Sequence, residues 1–404
     1  MPTTEYQGSS IPLAFLGRSI LSLRRNQVVV VSMETHTDQD QEDLELFQKH
    51  TSDRFLHLSS DPTTTIDGGA GDNFLSIGWL RNLLDVFLCC EAEFKAVLIL
   101  GRDPSHISKP PLDRLIPELL DRAVKALDVC NAITNSIESI LHWQKLASIA
   151  VSVLEQSFLG EGQLRRAKKA LNSLLTSMMI EDKDGSTNKT TERTWSFGRR
   201  GAANAIKDQN SANLRSFSWG VSKNWSASKQ IQAMSANLVV PRGGESTGLA
   251  LPVYIMSTVL VFVMWVLVTA IPCQDRTGLA NNFQVPRQPS WSGPIIALQD
   301  RISDEWKKKE KKGSVGLLEE IQRLEKCSQG LIELADTVQF PVEAEQAEEI
   351  KARTIELGEI CRKMEDGLVP LQRQVREVFH RIVRSRSEVL DLLEPTGKFS
   401  SSIL

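Results

Sequence analysis

The side chains best suited to chemistry in this chain are six histidines and six cysteines, and their spacing argues against an active centre. No histidine has a second histidine or a cysteine at the spacing of a zinc site. Cys89 and Cys90 are neighbours in an apolar helical pattern, where they cannot easily bond each other. Scattered thiols of this kind are typical of a reducing compartment. The set consists of His36, His50, His57, His106, His142 and His380, with Cys89, Cys90, Cys130, Cys273, Cys327 and Cys361.

Other catalytic motifs are also missing from the sequence. The glycine-rich stretch at 67–73, "DGGAGDN", lacks the Lys-Ser/Thr pair of a phosphate-binding loop, and no strand precedes it, so we interpret it as a surface loop. We interpret the acids of the C-terminal helices as solvated helix faces. We therefore predict no enzyme, no metal and no cofactor, and keep an unrecognised helical active site as a minor alternative. Those acids are Glu319, Glu320, Glu345, Glu348 and Glu349.

The most unusual segment is "RSFSWGVSKNWSASKQ" at 215–230, which has two tryptophans, three basic residues, five serines and no acid. From Lys189 to Arg242 the chain carries a net charge of +7, although the whole chain carries −3. Tryptophan and basic side chains suit anionic headgroups or an acidic partner. We therefore predict a membrane or partner interface formed by Trp195, Arg199, Arg200, Arg215, Phe217, Trp219, Lys223, Trp225 and Lys229.

One alternative to the interface stays open for this segment, and a second is disfavoured. The tryptophans could simply anchor the segment on a helical core. Single-stranded nucleic acid uses the same residue types, but the acidic remainder of the chain disfavours it, so we predict no nucleic-acid partner. Ser216 and Ser218 follow Arg215 and are candidate phosphorylation sites, because phosphate there would cancel much of the local charge.

A run of 23 residues at 249–271 carries no charge. As a helix it would be about 34 Å long, enough to cross a bilayer. The alternative is a central helix buried in a bundle, which the position of Trp265 deep in the run favours. If the run meets a membrane, Cys273 lies at the position favoured for S-acylation, and it is our candidate acylation site.

Helical periodicity fills the rest of the sequence. One apolar stripe begins at Leu112, Leu115 and Leu119, and a second at Leu317 and Ile321. Neither strand-rich regions nor β-α-β alternation is present. We therefore predict an all-α long-helix bundle in which 38–180 packs on 300–394, with a helix break or kink near Gly367 and Pro370. The predicted segments are an N-terminal arm at 1–33, a helical bundle at 34–180, a disordered basic-aromatic linker at 181–247, the hydrophobic helix at 248–272, a Pro-rich connection at 273–299, the C-terminal part of the bundle at 300–394 and a tail at 395–404.

Several stretches together resemble the plant BYPASS-related proteins of the ROH type. These are "MPTTEYQGSS", "FLGRSILSLRR", "RSFSWGVSKNWSASKQIQA", "FVMWVLVTAIPCQDR" and "REVFHRIVRSRSEVLDLL". The resemblance implies a plant-specific, non-enzymatic helical protein that binds the rod-shaped seventy-kilodalton subunit of the exocyst, and a single membrane span at 249–271. It carries no catalytic residues.

The sequence thus leads to a principal functional hypothesis and one main alternative. The first is an interaction or adaptor protein of the secretory pathway that is membrane-associated, either as a single-pass or as a peripheral protein, with the exocyst subunit and anionic lipids as partners. The alternative is a purely cytosolic helical regulator of plant development or signalling.

Overall fold

The computed structural model describes residues 35–60, 73–99, 109–156, 160–183, 225–241, 248–276, 278–279, 283–287, 291–310 and 316–393. Every long element within those ranges is an α-helix, which confirms the predicted all-α class. The helices are α1 (Thr35–Ser59), α2 (Ile77–Ile99), α3 (Leu112–Leu154), α4 (Glu161–Lys183), α5 (Ala227–Ser235), α6 (Ala250–Ala270), α7 (Gly293–Glu310), α8 (Glu319–Thr337) and α9 (Ala344–Leu393).

The two longest helices, α3 and α9, pack against each other in opposite directions. Gln144 on α3 donates to the carbonyl oxygen of Cys361 at 3.5 Å, and Gln372 on α9 donates to that of Thr134 at 3.5 Å. In contrast, α2 runs parallel to α9, because the contacts advance in the same direction along both helices: Gln374 meets Arg81, and Arg381 meets Glu91. The N-terminal and C-terminal helices therefore form one bundle, as the apolar stripes predict.

The apolar helix α6 lies at the centre of this bundle. With 21 residues, the helix is long and apolar enough to cross a membrane, yet 20 of these residues are buried inside the protein. It packs against α1, α2, α3 and α5, and Phe262 meets the Phe55 ring edge-on at 5.7 Å. If α6 left the bundle for a bilayer, the apolar faces that cover it would be exposed to water. Its burial therefore favours the core-helix alternative.

Several polar groups of α6 are bonded within the protein as well. The indole nitrogen of Trp265 donates to the carbonyl oxygen of Leu279 at 3.0 Å. At the C-terminal end, the amides of Leu317 and Leu318 donate to the carbonyl oxygens of Thr269 and Ala270, at 3.4 and 3.1 Å. The last carbonyls of a helix need such partners when they are buried. These bonds fix the end of α6 to the residues that directly precede α8.

The predicted break near Gly367 and Pro370 is wrong, because α9 is a single helix of 50 residues. A proline inside a helix removes one hydrogen bond, and the buried stripe on both sides of Pro370 offsets that loss. Gly367 has a packing role instead: a Cβ atom there would lie 2.8 Å from Cγ2 of Ile77. The glycine thus lets the start of α2 approach α9 closely.

Other bounds differ from those expected. Helix α7 begins at Gly293, inside the segment predicted as a Pro-rich connection, and α5 lies inside the predicted linker. The N-terminal arm, the tail and most of the linker lie outside the described residues, so the division into segments stays a prediction.

Candidate interaction site

The end of the basic-aromatic segment is a short helix that the sequence specifies locally. Ser226 has extended backbone angles, and its hydroxyl oxygen accepts a hydrogen bond from the amide of Lys229 at 3.1 Å, so it is the N-cap of α5. Ala227, Ile231 and Met234 then form a buried face at helical spacing. This one apolar face attaches the nine-residue helix to the bundle.

Hydrogen bonds to the backbone of α5 hold both ends of this helix in place. The amides of Ala227 and Ser228 donate to the carbonyl oxygens of Gln274 and Asp275, at 3.0 and 3.1 Å. At the other end, the buried guanidinium of Arg122 donates to the carbonyl oxygens of Met234 and Ala236, both at 3.0 Å. The segment is therefore tied to the loop that follows α6 and to the side of α3.

Only two of the nine predicted interface residues, Trp225 and Lys229, lie in the described part of the chain. Trp225 is half-buried against the core, while Lys229 is exposed. The indole nitrogen of Trp225 is buried and has no hydrogen-bond partner among the described residues. The other interface residues and both candidate phosphorylation sites lie outside the described residues, namely Trp195, Arg199, Arg200, Arg215, Phe217, Trp219, Lys223, Ser216 and Ser218.

Cys273, the candidate acylation site, lies on the same loop as the partners of α5. Its side chain is half-buried, and Sγ is 3.7 Å from the hydroxyl oxygen of Ser136 on α3. Because Ala227 bonds to Gln274, the structure brings the end of the basic-aromatic segment next to this cysteine. Neither the interface nor the acylation follows from this proximity alone, so both stay predictions.

The loop after α6 is well anchored. Arg276 is buried, and its guanidinium carbon lies 5.2 Å from the centre of the Trp306 ring. Gly316 approaches so closely that a Cβ atom would lie 2.8 Å from the carbonyl oxygen of Ala270, and its φ of 152° also favours glycine. The site where the basic-aromatic segment meets the bundle thus has a rigid base.

Sequence reasoning missed a buried ion pair between α1 and α2. Arg54 makes a two-pronged contact with Glu93, at 2.9 and 2.7 Å, and His50 lies 3.3 Å from the same carboxylate. Burial raises the pKa of the adjacent Cys90 thiol to about 11, so that thiol stays neutral at neutral pH. A signal was available, since Arg54 follows Phe47 and Thr51 at spacings of 7 and 3, on the buried face.

Glu320 corrects our interpretation of the C-terminal acids as solvated. It is buried, and its carboxylate accepts from the amide of Ile77 at 3.1 and 3.2 Å, which caps the start of α2. Burial raises the pKa of Glu320 to about 7. Its place could have been found, because Glu320, Leu324 and Cys327 share the buried stripe of α8. Glu319 is half-buried, and the other three acids are exposed as predicted.

The buried charged side chains described above bond to other groups of the protein and so stabilise the fold. Among the residues that the structure describes, no group of three or more His, Cys, Asp or Glu side chains could hold a metal ion. The buried carboxylates instead bond to an arginine, as Glu93 does, or to a backbone amide, as Glu320 does. The fold and the site therefore define a helical bundle to whose side the end of a basic-aromatic segment, from Trp225 onward, is fixed.

Comparison with known proteins gives the family. The family model described as Protein ROH1-like matches residues 1–393. The chain is 53% identical to Protein ROH1A of Arabidopsis thaliana, with all of both chains covered. It is 44% identical to Protein ROH1D of Arabidopsis thaliana over 97% of this chain and 98% of the relative. No solved structure matches. The chain belongs to the plant ROH1-like family, which confirms the resemblance seen in the sequence.

Proposed function

We propose that this protein is a non-enzymatic adaptor of the plant secretory pathway, which binds the rod-shaped seventy-kilodalton subunit of the exocyst. Membership of the ROH1-like family supports the proposal, since the sequence resemblance that implied this partner led to the same family. The observation that carries it is the fixed end of the basic-aromatic segment, where Ala227 and Ser228 bond to the loop after α6. A segment of this composition, held against a rigid bundle, is suited to binding a surface rather than transforming a substrate.

We further propose that membrane contact is peripheral. The burial of α6 supports this, because a helix that fills the core cannot at the same time face lipid. Basic residues near an anionic membrane contribute about 1 kcal/mol each, and tryptophan rings suit the headgroup depth. Arg215, Lys223 and Lys229 are the basic residues nearest to Trp219 and Trp225, and they supply this attraction.

The same burial of α6 favours a second candidate, a cytosolic regulator that binds protein partners and no lipid. The two candidates differ only in whether the basic-aromatic segment contacts headgroups. Vesicle binding therefore decides between them.

The test compares the parent chain with a variant in which Arg215, Lys223 and Lys229 are changed together to Glu. Two measurements are made: co-sedimentation with vesicles containing phosphatidylserine, and pull-down with the purified exocyst subunit. A matched control changes Lys307, Lys308 and Lys309 to Glu, since these lysines lie at the end of α7, where Lys307 and Lys308 are exposed and Lys309 is half-buried. We expect the first variant to lose binding and the control to retain it.

Three outcomes count against parts of the proposal. If both variants bind vesicles and the exocyst subunit as the parent does, the segment is packing and the interface assignment is wrong. Loss of subunit binding alone, with a parent that never binds vesicles, establishes the cytosolic candidate. A parent that fails to bind the subunit refutes the adaptor function itself.

Acylation of Cys273 belongs to the same proposal, because an acyl chain beside the segment would strengthen a peripheral anchor. We expect a hydroxylamine-sensitive acyl-exchange signal from the chain expressed in plant cells, and its loss in Cys273→Ser. Cys89→Ser is the control, since Cys89 is also a half-buried free cysteine. No signal from the parent would dispose of the acylation site and leave the adaptor function standing.

A further inference from the structure

The outer face of α9 carries a regular pattern that the fold does not use. Ten positions follow one another at alternating spacings of 4 and 3 residues, and all ten are exposed. Such spacing places them in one stripe along a helix about 75 Å long. The opposite face of α9 is buried against α2, α3 and α8. The stripe consists of Ile355, Glu359, Arg362, Asp366, Val369, Arg373, Arg376, His380, Val383 and Ser387.

Three aliphatic side chains recur in this stripe every 14 residues. Ile355, Val369 and Val383 are 53, 46 and 40% exposed. Heptad positions that contact another helix prefer β-branched apolar residues, and the constant register of these three residues matches that pattern. The positions halfway between them are Arg362 and Arg376, so the pattern alternates apolar and basic residues at heptad spacing.

The C-terminal half of the stripe is basic. Arg373 and Arg376 lie in it and Arg384 adjoins it, with Glu377 as the one exposed acid between Val369 and Ser387. In the part of the chain that the structure describes, none of these three arginines forms an ion pair. Arg381, on the inner side of the same helix, instead contacts Glu91 of α2 at 3.4 Å. The outward arginines therefore have their charge available for another molecule.

We propose that the outer face of α9 from Val369 to Ser387 docks an acidic amphipathic helix of a partner protein. The valines would fit between apolar residues of that helix, and the arginines would meet its flanking acids. Because α9 is rigidly packed on its other side, it presents this face without the loss of conformational freedom that a flexible segment would suffer on binding.

A second copy of the chain fits this face poorly. In a parallel pair, Arg373 and Arg376 would meet their own counterparts. In an antiparallel pair centred on Val369, Arg376 would face Arg362 of the second copy. Like charges at such positions oppose pairing, so the partner must supply the acids that the stripe lacks between Val369 and Ser387. The inference rests on the proposed function only in that the chain works by binding another protein.

The test uses the full-length chain and two synthetic probes. Each probe is a fluorescent 28-residue helix with leucine at one position of every heptad. The flanking positions carry Glu in the acidic probe and Lys in the basic probe. We expect the parent to bind the acidic probe about tenfold or more tightly than the basic one, because a tenfold ratio requires only 1.4 kcal/mol. Fluorescence anisotropy measures both dissociation constants.

Charge reversal provides the critical comparison. Arg373→Glu combined with Arg376→Glu should reverse the preference, so that the basic probe binds more tightly. The matched control, Lys307→Glu with Lys308→Glu on α7, makes the same change in net charge and should leave the preference unchanged. Val383→Asp should weaken the binding of the acidic probe without lowering the melting temperature of the protein, which separates a lost contact from a lost fold.

Four results would overturn the inference: equal binding of both probes by the parent, no reversal in the double variant, an equal effect of the α7 control, or self-association of the parent that Val383→Asp abolishes. Loss of binding to phosphatidylserine vesicles in the double variant, without reversal between the probes, would assign the face to lipid and also overturn the inference.

Pull-down with the exocyst subunit separates this inference from the proposed function. A parent that fails to bind the subunit yet shows reversal refutes only the adaptor proposal, whereas equal subunit binding by parent and double variant, without reversal, refutes only the α9 surface.

Discussion

Helices α6 and α9 are opposite solutions to the burial of a long helix. The 21 residues of α6 carry no charge, and all of them except the half-buried Leu251 are buried in the core. The 50 residues of α9 bury one stripe and leave the other in water. The comparison teaches that hydrophobicity alone does not indicate function in this protein. The most apolar helix holds the fold together, and the more polar one presents a surface.

The sharpest way to break this comparison is to place the same charge on both helices. Val263→Asp buries a carboxylate in the core, which costs several kcal/mol, a large part of a typical stability of about 5–15 kcal/mol. We expect no cooperative thermal unfolding for this variant. Val383→Asp, on the exposed face of α9, should change the free energy of unfolding by about 0.5 kcal/mol or less. Similar melting curves for the two variants would show that α6 is not a core helix.

The next effect concerns the buried ion pair between α1 and α2. Glu93→Gln leaves the guanidinium of Arg54 buried without a counter-charge, and we expect a loss of about 3–5 kcal/mol. Glu161→Gln removes an exposed pair with Arg165 within α4 and should cost about 0.3–0.5 kcal/mol. Chemical denaturation measures both. An equal, small loss in the two variants would mean that water reaches the Arg54 site.

Glu320 should make stability depend on pH. Its pKa is raised from the ordinary 4.5 to about 7, so the folded state binds the proton more tightly than the unfolded state. The contribution of Glu320 is therefore fully present below about pH 4.5 and falls as the pH rises to about 7. Glu320→Gln should remove this fall of the free energy of unfolding with pH, and Glu345→Gln, at an exposed position, should not. Chemical denaturation at several pH values between 4.5 and 7 measures the free energy of unfolding. Glu320→Ala, which leaves the amide of Ile77 unbonded, should cost about 1–3 kcal/mol.

The smallest effect compares two glycines of α9. Gly367→Ala forces a Cβ atom against Ile77 and should destabilise by about 1–2 kcal/mol. At Gly358 the nearest atom to such a Cβ, Cγ1 of Val151, lies at an ordinary 3.5 Å. Gly358→Ala should thus stabilise by about 0.5–1 kcal/mol, since alanine favours the helix. The two melting temperatures should move in opposite directions. A rise for both would place the start of α2 farther from α9.

Local signals in the sequence were enough to predict most of the helices. The stripe that begins at Leu112 predicted α3, and the uncharged run predicted α6, because apolar periodicity depends only on near neighbours. Glu320 was misjudged for the opposite reason. Its hydrogen-bond partner, Ile77, is 243 positions away in the chain, and no local pattern records such a partner. The same holds for the continuity of α9 through Pro370, which depends on packing against α2, α3 and α8.

The candidate site was predictable in composition and not in position. The sequence marked Trp225, Lys229 and Cys273 by residue type, yet their proximity depends on the bonds from Ala227 and Ser228 to the loop after α6. The exposed face of α9 was not predicted from the sequence, because the residue types of Val369 and Val383 do not show that these side chains lie in water.

The order in which the helices surrounding α6 occur along the chain has a consequence for synthesis on the ribosome. Helices α1, α2, α3 and α5 all precede α6, so the helices that pack against it have already been translated when it emerges, whereas the loop residues that also cover it, such as Leu279 and Phe283, follow. At roughly 5–20 residues per second, α9 follows on the order of 10 s later. Because α6 is long and apolar enough to cross a membrane, its packing on the earlier helices competes with membrane insertion. We therefore expect the earlier helices to begin covering α6 during translation, in the seconds before the long C-terminal helix completes the bundle.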